Sequence, residues 1–444
     1  MQANERSSFR DPAGFVFSRN NKIYRKIIDV DNYSLLMRSG LYDRLVKENK
    51  LISHRECGDD VIEPEQIKFI SYSYEWCFSQ LKDAALLTLN IQKAALEKDM
   101  TLKDASAYNV QFIRGKPIFI DTLSLCKHED NSPWYAYKQF CQHFLAPLSL
   151  MAYKDVRLQS LLRNYIDGIP LDLASSMLPL STKLNLSLLT HIHINSYGQK
   201  KYESKGEKIS QYKIDKQRLI YIIDNLISTV KSIKLVNKES KQRISDYYTY
   251  TNYDDIAFRD KKSIVARFAE NVSPDSICDY GSNIGEFSKD IVAREIVCLD
   301  ADYDSIDHLY GERKSNILPL VMDLSNVSPS IGWNLEERKD FKSRFKVDLV
   351  LSLALVHHLA ISNNLPFSLI SSFFRDMCNF LIVEWVPRED SQVQSLLSSG
   401  REASHYNEDN FMLSFLKDFS LIERCPIENS KRSLLLLKRK GENN

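Results

Sequence analysis

"SICDYGSNIGEFSKDI", Ser276 to Ile291, is the stretch whose chemistry decides the fold. The chain has 13 glycines in 444 residues, yet Gly281 and Gly285 stand four apart, directly after an apolar run and an acid, Asp279. Such spacing predicts a strand that ends, turns tightly against a ligand and enters a helix. The residues between the glycines separate the possible ligands. A phosphate loop, G-x-x-x-x-G-K-[ST], needs its second glycine one residue later and a lysine where Glu286 stands; an acid there repels a triphosphate. The dinucleotide fingerprint needs glycine at 283 and a small residue at 286, where Asn283 and Glu286 stand, so a pyrophosphate is not brought close to the backbone. What remains is D-x-G-x-N-x-G: Asp279, Gly281, Asn283, Gly285.

Around this loop, from about residue 246 to the end, short apolar runs alternate with helical stretches: "DSICDYG", "EIVCLDA", "ILPLVMD", "VDLVLSLA" and "FLIVEWV". That alternation predicts an α/β domain, a parallel sheet with helices on both faces. The last run, "FSLIERCPIENSKRSLLLLKR", predicts an antiparallel pair closing the sheet. Asp300 ends the second strand, 21 residues after Asp279, the interval at which a carboxylate binds ribose hydroxyls. Asp323 ends the third. With its acids in this order, the segment resembles the class I S-adenosylmethionine-dependent methyltransferases over roughly the last 200 residues, about one domain's worth. The resemblance implies a Rossmann-like sheet and S-adenosylmethionine as cofactor. It assigns the cofactor to Asp279, Gly281, Asn283, Gly285, Asp300 at the ribose and Asp323 at the adenine amino group. The family often has a third glycine where Asn283 stands, and asparagine tolerates the left-handed backbone such a loop needs. Methyl transfer needs alignment above all, and a general base where the acceptor is a hydroxyl. His357 and His358, after the fourth strand, and Glu384, ending the fifth, are the catalytic candidates. Tyrosines 247, 248, 250 and 253 precede the first strand and are read as packing of the entry helix, with covering the site as the alternative.

The first half carries a second constellation. "LKDASAYNVQFIRGKPIFIDT" holds Asp104, Asn109 five residues on, and Asp121 after a strand–turn–strand. The protein-kinase catalytic core has this order: a catalytic-loop Asp, an Asn for one Mg²⁺ and a strand-end Asp for both metals. Short strands in "GFVFSRNNKIYRKI", a helix over 33–49, a strand near "IKFISYSYE" with Glu75, and a long helix over 78–99 precede the loop, and helices follow to about Leu189. The segment resembles a kinase-like α+β fold, implying ATP with Mg²⁺ on Asn109 and Asp121, Asp104 as catalytic residue, and Arg25 or Lys26 at the phosphates. Its departures are "TLKD" for H-R-D, "IDT" for D-F-G and one glycine in "DPAGFVF" where a phosphate-covering loop has three.

Length and composition set the frame. A chain of 444 residues predicts more than one core. Lys+Arg (59) and Asp+Glu (58) nearly cancel, so no global field favours nucleic acid or an anionic membrane. The polar start "MQANERSSFRDPAG" lacks the apolar core of a secretory signal, and no apolar stretch is long enough to span a bilayer. Eight scattered cysteines without a C-x-x-C pair suggest neither a zinc site nor a disulfide framework, and a reducing cytoplasm is the expectation. His191 and His193 alternate as strand neighbours would and are read as structural rather than metal-binding. The polar, lysine-rich 195–213 reads as a linker, and "KQRLIYIIDNLISTVKSIKLV" as a connecting helix. The expected organisation is a kinase-like domain over 1–194, a linker and helix over 195–245, and a methyltransferase domain over 246–444. The whole chain also resembles bacterial methyltransferases of nodulation and surface-glycan loci, which implies a saccharide or glycolipid acceptor. The functional expectation is S-adenosylmethionine-dependent methylation of an acceptor the sequence does not identify. A bifunctional kinase/methyltransferase and a non-catalytic binding module are the alternatives, and the sequence does not speak to oligomeric state.

Overall fold

The computed structural model describes residues 2–58, 60–195, 213–235, 254–398 and 403–441. The four tyrosines at 247–253 and most of the expected linker lie outside the described residues. The chain divides into two compact units, Met1–Asn237 with Ser330–Lys339, and Lys238–Pro329 with Asp340–Asn444.

The first unit opens with a five-stranded antiparallel sheet in the order β1 (Gln2–Asn4), β2 (Gly14–Arg19), β3 (Lys22–Ile27), β5 (Val61–Pro64), β4 (His54–Glu56). Asn20 and Asn21, both left-handed at φ 51° and 59°, make the tight turn that joins β2 to β3. The single helix expected over 33–49 is two, α1 (Val30–Arg38) and α2 (Leu41–Lys47), because Gly40 at φ 71° breaks the run. The long helix α3 (Phe78–Leu96) forms as expected and buries thirteen of its nineteen residues. Beyond it, β6 (Met100–Leu102) pairs with β9 (Leu125–Lys127), and β7 (Val110–Ile113) forms a hairpin with β8 (Lys116–Phe119).

Two local expectations are corrected. The stretch 67–75 is not a strand. The Gln111 side chain accepts from the Ser71 N–H (2.9 Å) and donates to its carbonyl (2.9 Å), while Glu75 takes the Tyr72 N–H (2.9 Å). Side chains thus satisfy backbone groups a ladder would otherwise need. His191 and His193 lie on a wide helical turn, Leu189–Ile194, not on a strand. His191 bonds Tyr137 (2.6 Å) and Asn225 (2.8 Å); His193 bonds Ser175 (2.8 Å) and Thr182 (3.0 Å). The helix Lys216–Ser232 packs along α3 inside this unit, Lys93 meeting Asp224 at 2.6 Å. Residues 330–339 belong here too: the Arg10 guanidinium holds Glu337 through two 3.0 Å bonds, and the Arg338 guanidinium lies 3.8 Å over the Tyr108 ring.

The second unit is built on a seven-stranded sheet ordered β12 (Ile317–Val321), β11 (Glu295–Asp300), β10 (Ser276–Tyr280), β13 (Val347–Ser352), β14 (Cys378–Trp385), β16 (Ser433–Arg439), β15 (Phe419–Pro426). The first five run parallel, and β15 and β16 are the antiparallel closing pair that the sequence predicts. The near-continuous apolar runs of the five parallel strands are those of strands covered on both faces. Ile277, Leu349, Leu351 and Ile382 pack with Phe268 of the helix Asp255–Val272 on one side. Tyr280, on the other, sits among Phe341, Phe373 and Phe374. Because side chains alternate along a strand, Asp279 emerges on the Ile277 side, toward Asp255–Val272. The order reverses between β10 and β13, so the carboxyl ends of those strands form the crevice where open α/β sheets bind ligands.

Candidate functional site

The glycine loop leaves β10 through Gly281 (φ 71°), Asn283 (φ 50°) and Gly285 (φ 73°), three left-handed residues within five. The Gly281 and Ser282 N–H groups both donate to the Leu299 carbonyl, at 2.8 and 3.1 Å, which ties the loop to β11. The regular helix expected next does not form. Residues 283–290 make successive turns in which the Ser288 and Lys289 N–H groups share the Gly285 carbonyl. Glu286 is held by Lys289 (2.6 Å) and Lys262 (3.3 Å).

Asp300 ends β11 half-buried, its carboxylate accepting the Asn283 N–H on Oδ2 (2.8 Å) and the Asp302 N–H on Oδ1 (2.9 Å). Burial raises its pKa above the ordinary aspartate value. Asp279 is buried outright; desolvation pushes its pKa up to about 7, against the opposing effects of Ser288 and the Lys261 charge. Asp323 is exposed and caps its own turn, accepting from the Ser325 N–H (2.8 Å) and hydroxyl (2.7 Å). It follows Met322, whose N–H bonds the Asp300 carbonyl at 2.8 Å, so the three acids close adjacent strands along one edge of the sheet.

Of the catalytic candidates, His358 opens to solvent while His357 is buried, the rings 4.2 Å apart. Desolvation, with the charge of Arg432 among the lesser causes, drives the His357 pKa down to about 3, so its imidazole is neutral. Its Nδ1 is buried without a hydrogen-bond partner among the described residues. Glu384 is engaged within the protein. Its Oε2 accepts from Lys261 Nζ (2.7 Å) and from the Ala354 N–H (2.8 Å), and its Oε1 faces Arg432 at 3.4 Å. Arg432 in turn grips Asp390 with bonds of 2.7 and 2.9 Å. Lys261, Arg432 and Asp390 belong to no local motif in the sequence, and the Lys261–Glu384 pair spans 123 residues.

In the first unit the structure brings Asp104, Asn109 and Asp121 together. Burial raises the Asp104 pKa, with the Asp121 charge adding to it and the Asn109 side chain bonding it. Arg25 of β3, rather than Lys26, faces this cluster: its guanidinium pairs with Asp121 and bonds Asp11 at 2.7 Å. The other Asp121 oxygen takes the Ser124 hydroxyl at 2.7 Å. Gly14, the single glycine of the expected phosphate-covering loop, lies bare against the Lys26 carbonyl and Leu123, where a side chain has no room. Among the described residues no three His, Cys, Asp or Glu side chains are grouped to hold a metal ion, and no helix is long and apolar enough to cross a membrane.

Strand order, switch point and glycine loop define the second unit as a Rossmann-like α/β domain with an antiparallel closing pair. Compared with known proteins, the chain is 32% identical over 464 aligned residues, 97% of this chain and 95% of the relative, to "Nodulation protein NoeA" of Rhizobium meliloti (strain 1021). The chain belongs to the family of that nodulation protein. No protein-family model matches it. Among solved structures, N-methyltransferase NodS from Bradyrhizobium japonicum WM9 in complex with S-adenosyl-L-homocysteine aligns at TM-score 0.34 and 11% identity, over 46% of this chain and 100% of that one. The methyltransferase domain of bacterial CtHen1 aligns at TM-score 0.31 and 12% identity, over 41% of this chain and 99% of that one. Likenesses this weak add no argument to the strand order itself.

Proposed function

We propose that the second unit is an S-adenosylmethionine-dependent methyltransferase domain whose cofactor lies at the carboxyl ends of β10, β11 and β12. The observation that carries this is the Asp300 carboxylate, oriented by two backbone N–H groups beside a left-handed glycine loop. An ionised carboxylate has about four acceptor positions, so roughly two remain for a pair of ribose hydroxyls. The charge set also fits: Asp300 and Asp323, with the buried Asp279 behind them, suit a cationic amino-acid nucleoside and oppose phosphates. The cofactor would supply an electrophilic methyl group. The chain's part would be to fix the ribose with Asp300, to place Asp323 toward the base, and to offer His358 at the rim as proton acceptor for a hydroxyl-bearing acceptor. A saccharide or glycolipid acceptor is what the resemblance noted above implies. Calorimetric titration of the full chain with S-adenosylhomocysteine tests the proposal: one site per chain is expected, and absence of binding overturns it.

A kinase-like fold for the first unit is a second proposal, supported by the convergence of Asp104, Asn109 and Asp121 behind α3 and the β7–β8 hairpin. The donor set does not fit Mg²⁺ as it stands, because Asp121 is engaged by Arg25, Ser124 and the Leu123 N–H. No step through ATP and Mg²⁺ is therefore assigned, and the bifunctional alternative rests on whether Mg²⁺-ATP raises the melting temperature of the full chain.

A further inference from the structure

Ala354, two residues past the end of β13, holds a left-handed backbone at φ 49°, a conformation that residues with a Cβ adopt rarely and keep only where their surroundings enforce it. The enforcement is visible. Its N–H donates to Glu384 Oε2 at 2.8 Å, and the same oxygen is gripped by Lys261 Nζ at 2.7 Å. Lys261 is entirely buried on the helix Asp255–Val272, its ammonium 4.4 Å from the Phe287 ring centroid in the turns that follow the glycine loop. The next residue, Leu355, lies against the loop: a Cβ at Gly281 would meet Leu355 Cδ1 at 3.4 Å. One buried ammonium thus touches the end of β14 and the sequel of the glycine loop, and through Glu384 it fixes the turn that lies on Gly281.

We propose that Lys261 and Glu384 are positioning residues of the nucleoside site, holding Ala354 left-handed through its N–H so that Leu355 stays seated on the glycine loop. The inference rests on the cofactor site proposed above. It separates Glu384 from base chemistry and gives a role to a buried charge that sheet packing does not need, since apolar residues of similar volume often replace a buried ion pair without loss of stability.

The test compares side chains of equal charge that differ only in the anchor. Full-length wild type, Lys261→Met/Glu384→Gln and Lys261→Met/Glu384→Leu are titrated with S-adenosylhomocysteine, with melting curves for each. The glutamine amide oxygen still accepts the Ala354 N–H and leucine cannot, so the leucine variant is expected to bind at least about tenfold more weakly than the glutamine variant. Adding Ala354→Gly to the leucine variant should recover affinity, because glycine holds a left-handed conformation without an anchor. Ala354→Val in the otherwise wild-type chain leaves the ion pair intact, disfavours the same backbone and should weaken binding, which keeps the test available if the leucine variant does not fold. Equal affinities in the glutamine and leucine variants, or unchanged affinity in Ala354→Val, overturn the positioning role. Wild type that binds nothing overturns the cofactor site itself, and the role with it.

Discussion

Replacing Asp300 tests the cofactor site most directly, because the carboxylate has two separable duties. Within the protein it accepts the Asn283 and Asp302 N–H groups at 2.8 and 2.9 Å. Hydrogen bonds to a charged group contribute roughly 1.5–3 kcal/mol each, less where water can substitute, so Asp300→Ala is expected to lower stability by about 2 kcal/mol. Toward the ligand, losing the ribose contact costs a further ~1.5–3 kcal/mol, about 10- to 150-fold in affinity. Asp300→Asn separates the two duties: its oxygen keeps one N–H, its NH₂ group opposes the other, and its neutral amide holds the ribose less well. Urea denaturation gives the first quantity and titration with S-adenosylhomocysteine the second. The reasoning is refuted if Asp300→Ala folds like wild type and binds with unchanged affinity. It is equally refuted if affinity falls only in proportion to the fraction unfolded.

Three further outcomes follow from named contacts. Asp279 carries a proton in the folded state up to about pH 7 but loses it near pH 3.8 when unfolded, so its contribution to stability is fully present below the lower value and lost as pH rises through the higher. Within that window each pH unit is worth up to about 1.4 kcal/mol, and Asp279→Asn should flatten the decline between pH 4 and 7, as seen in denaturation midpoints beside wild type. Lys261→Met alone leaves Glu384 with the Arg432 guanidinium at 3.4 Å and the Ala354 N–H, and should cost up to ~3 kcal/mol, recovered when Glu384→Gln is added; equal melting of single and double variants would contradict the pairing. Gly281→Val should lose cofactor binding, since φ 71° alone costs roughly 1–2 kcal/mol for a residue with a Cβ, and the added methyls press on Leu355; binding at wild-type strength would mean the loop faces away from the ligand.

What the sequence made legible was local. Five apolar runs, each closed by its own residue type, became β10 to β14, because a strand buried on both faces writes its burial into consecutive residues. The place of Asp300 at the end of β11 could be read because it depends only on the chain's local pattern of strand and connection after Asp279. Lys261 could not. Its partner is 123 residues away, and nothing near "FRDKKSIVARF" distinguishes the lysine that is buried from Lys262, which lies near the surface. The same limit left Arg25 and Lys26 tied until β3 took its place in the sheet and turned Arg25 toward Asp121. The misread stretch 67–75 has a related cause: its alternating aromatics imitate a strand, and only the fold reveals that the Gln111 amide takes the place of a neighbouring strand.

Acids at a sheet's carboxyl edge look alike in sequence, and counting their donors separates their roles. Glu384, wholly buried, meets the Lys261 ammonium, the Arg432 guanidinium and the Ala354 N–H, so its charge is answered from within, as the anchoring role proposed above requires. Asp300 meets the neutral N–H groups of Asn283 and Asp302, with a lesser contribution from that of Ala301, and keeps some exposure, so its charge is oriented but not neutralised, the condition a ribose-binding carboxylate needs. Asp121 falls with Glu384 by this count, paired with Arg25 and bonded by Ser124. The count makes its own prediction in the first unit. If the Arg25 guanidinium is what keeps a cation off Asp121, then Arg25→Ala should let Mg²⁺ raise the melting temperature where wild type shows no shift, and Asp121→Asn in the same background should abolish the gain. A melting temperature indifferent to Mg²⁺ in Arg25→Ala would mean that Asp104, Asn109 and Asp121, though gathered in one place, are a structural cluster and not a vestige of a metal site.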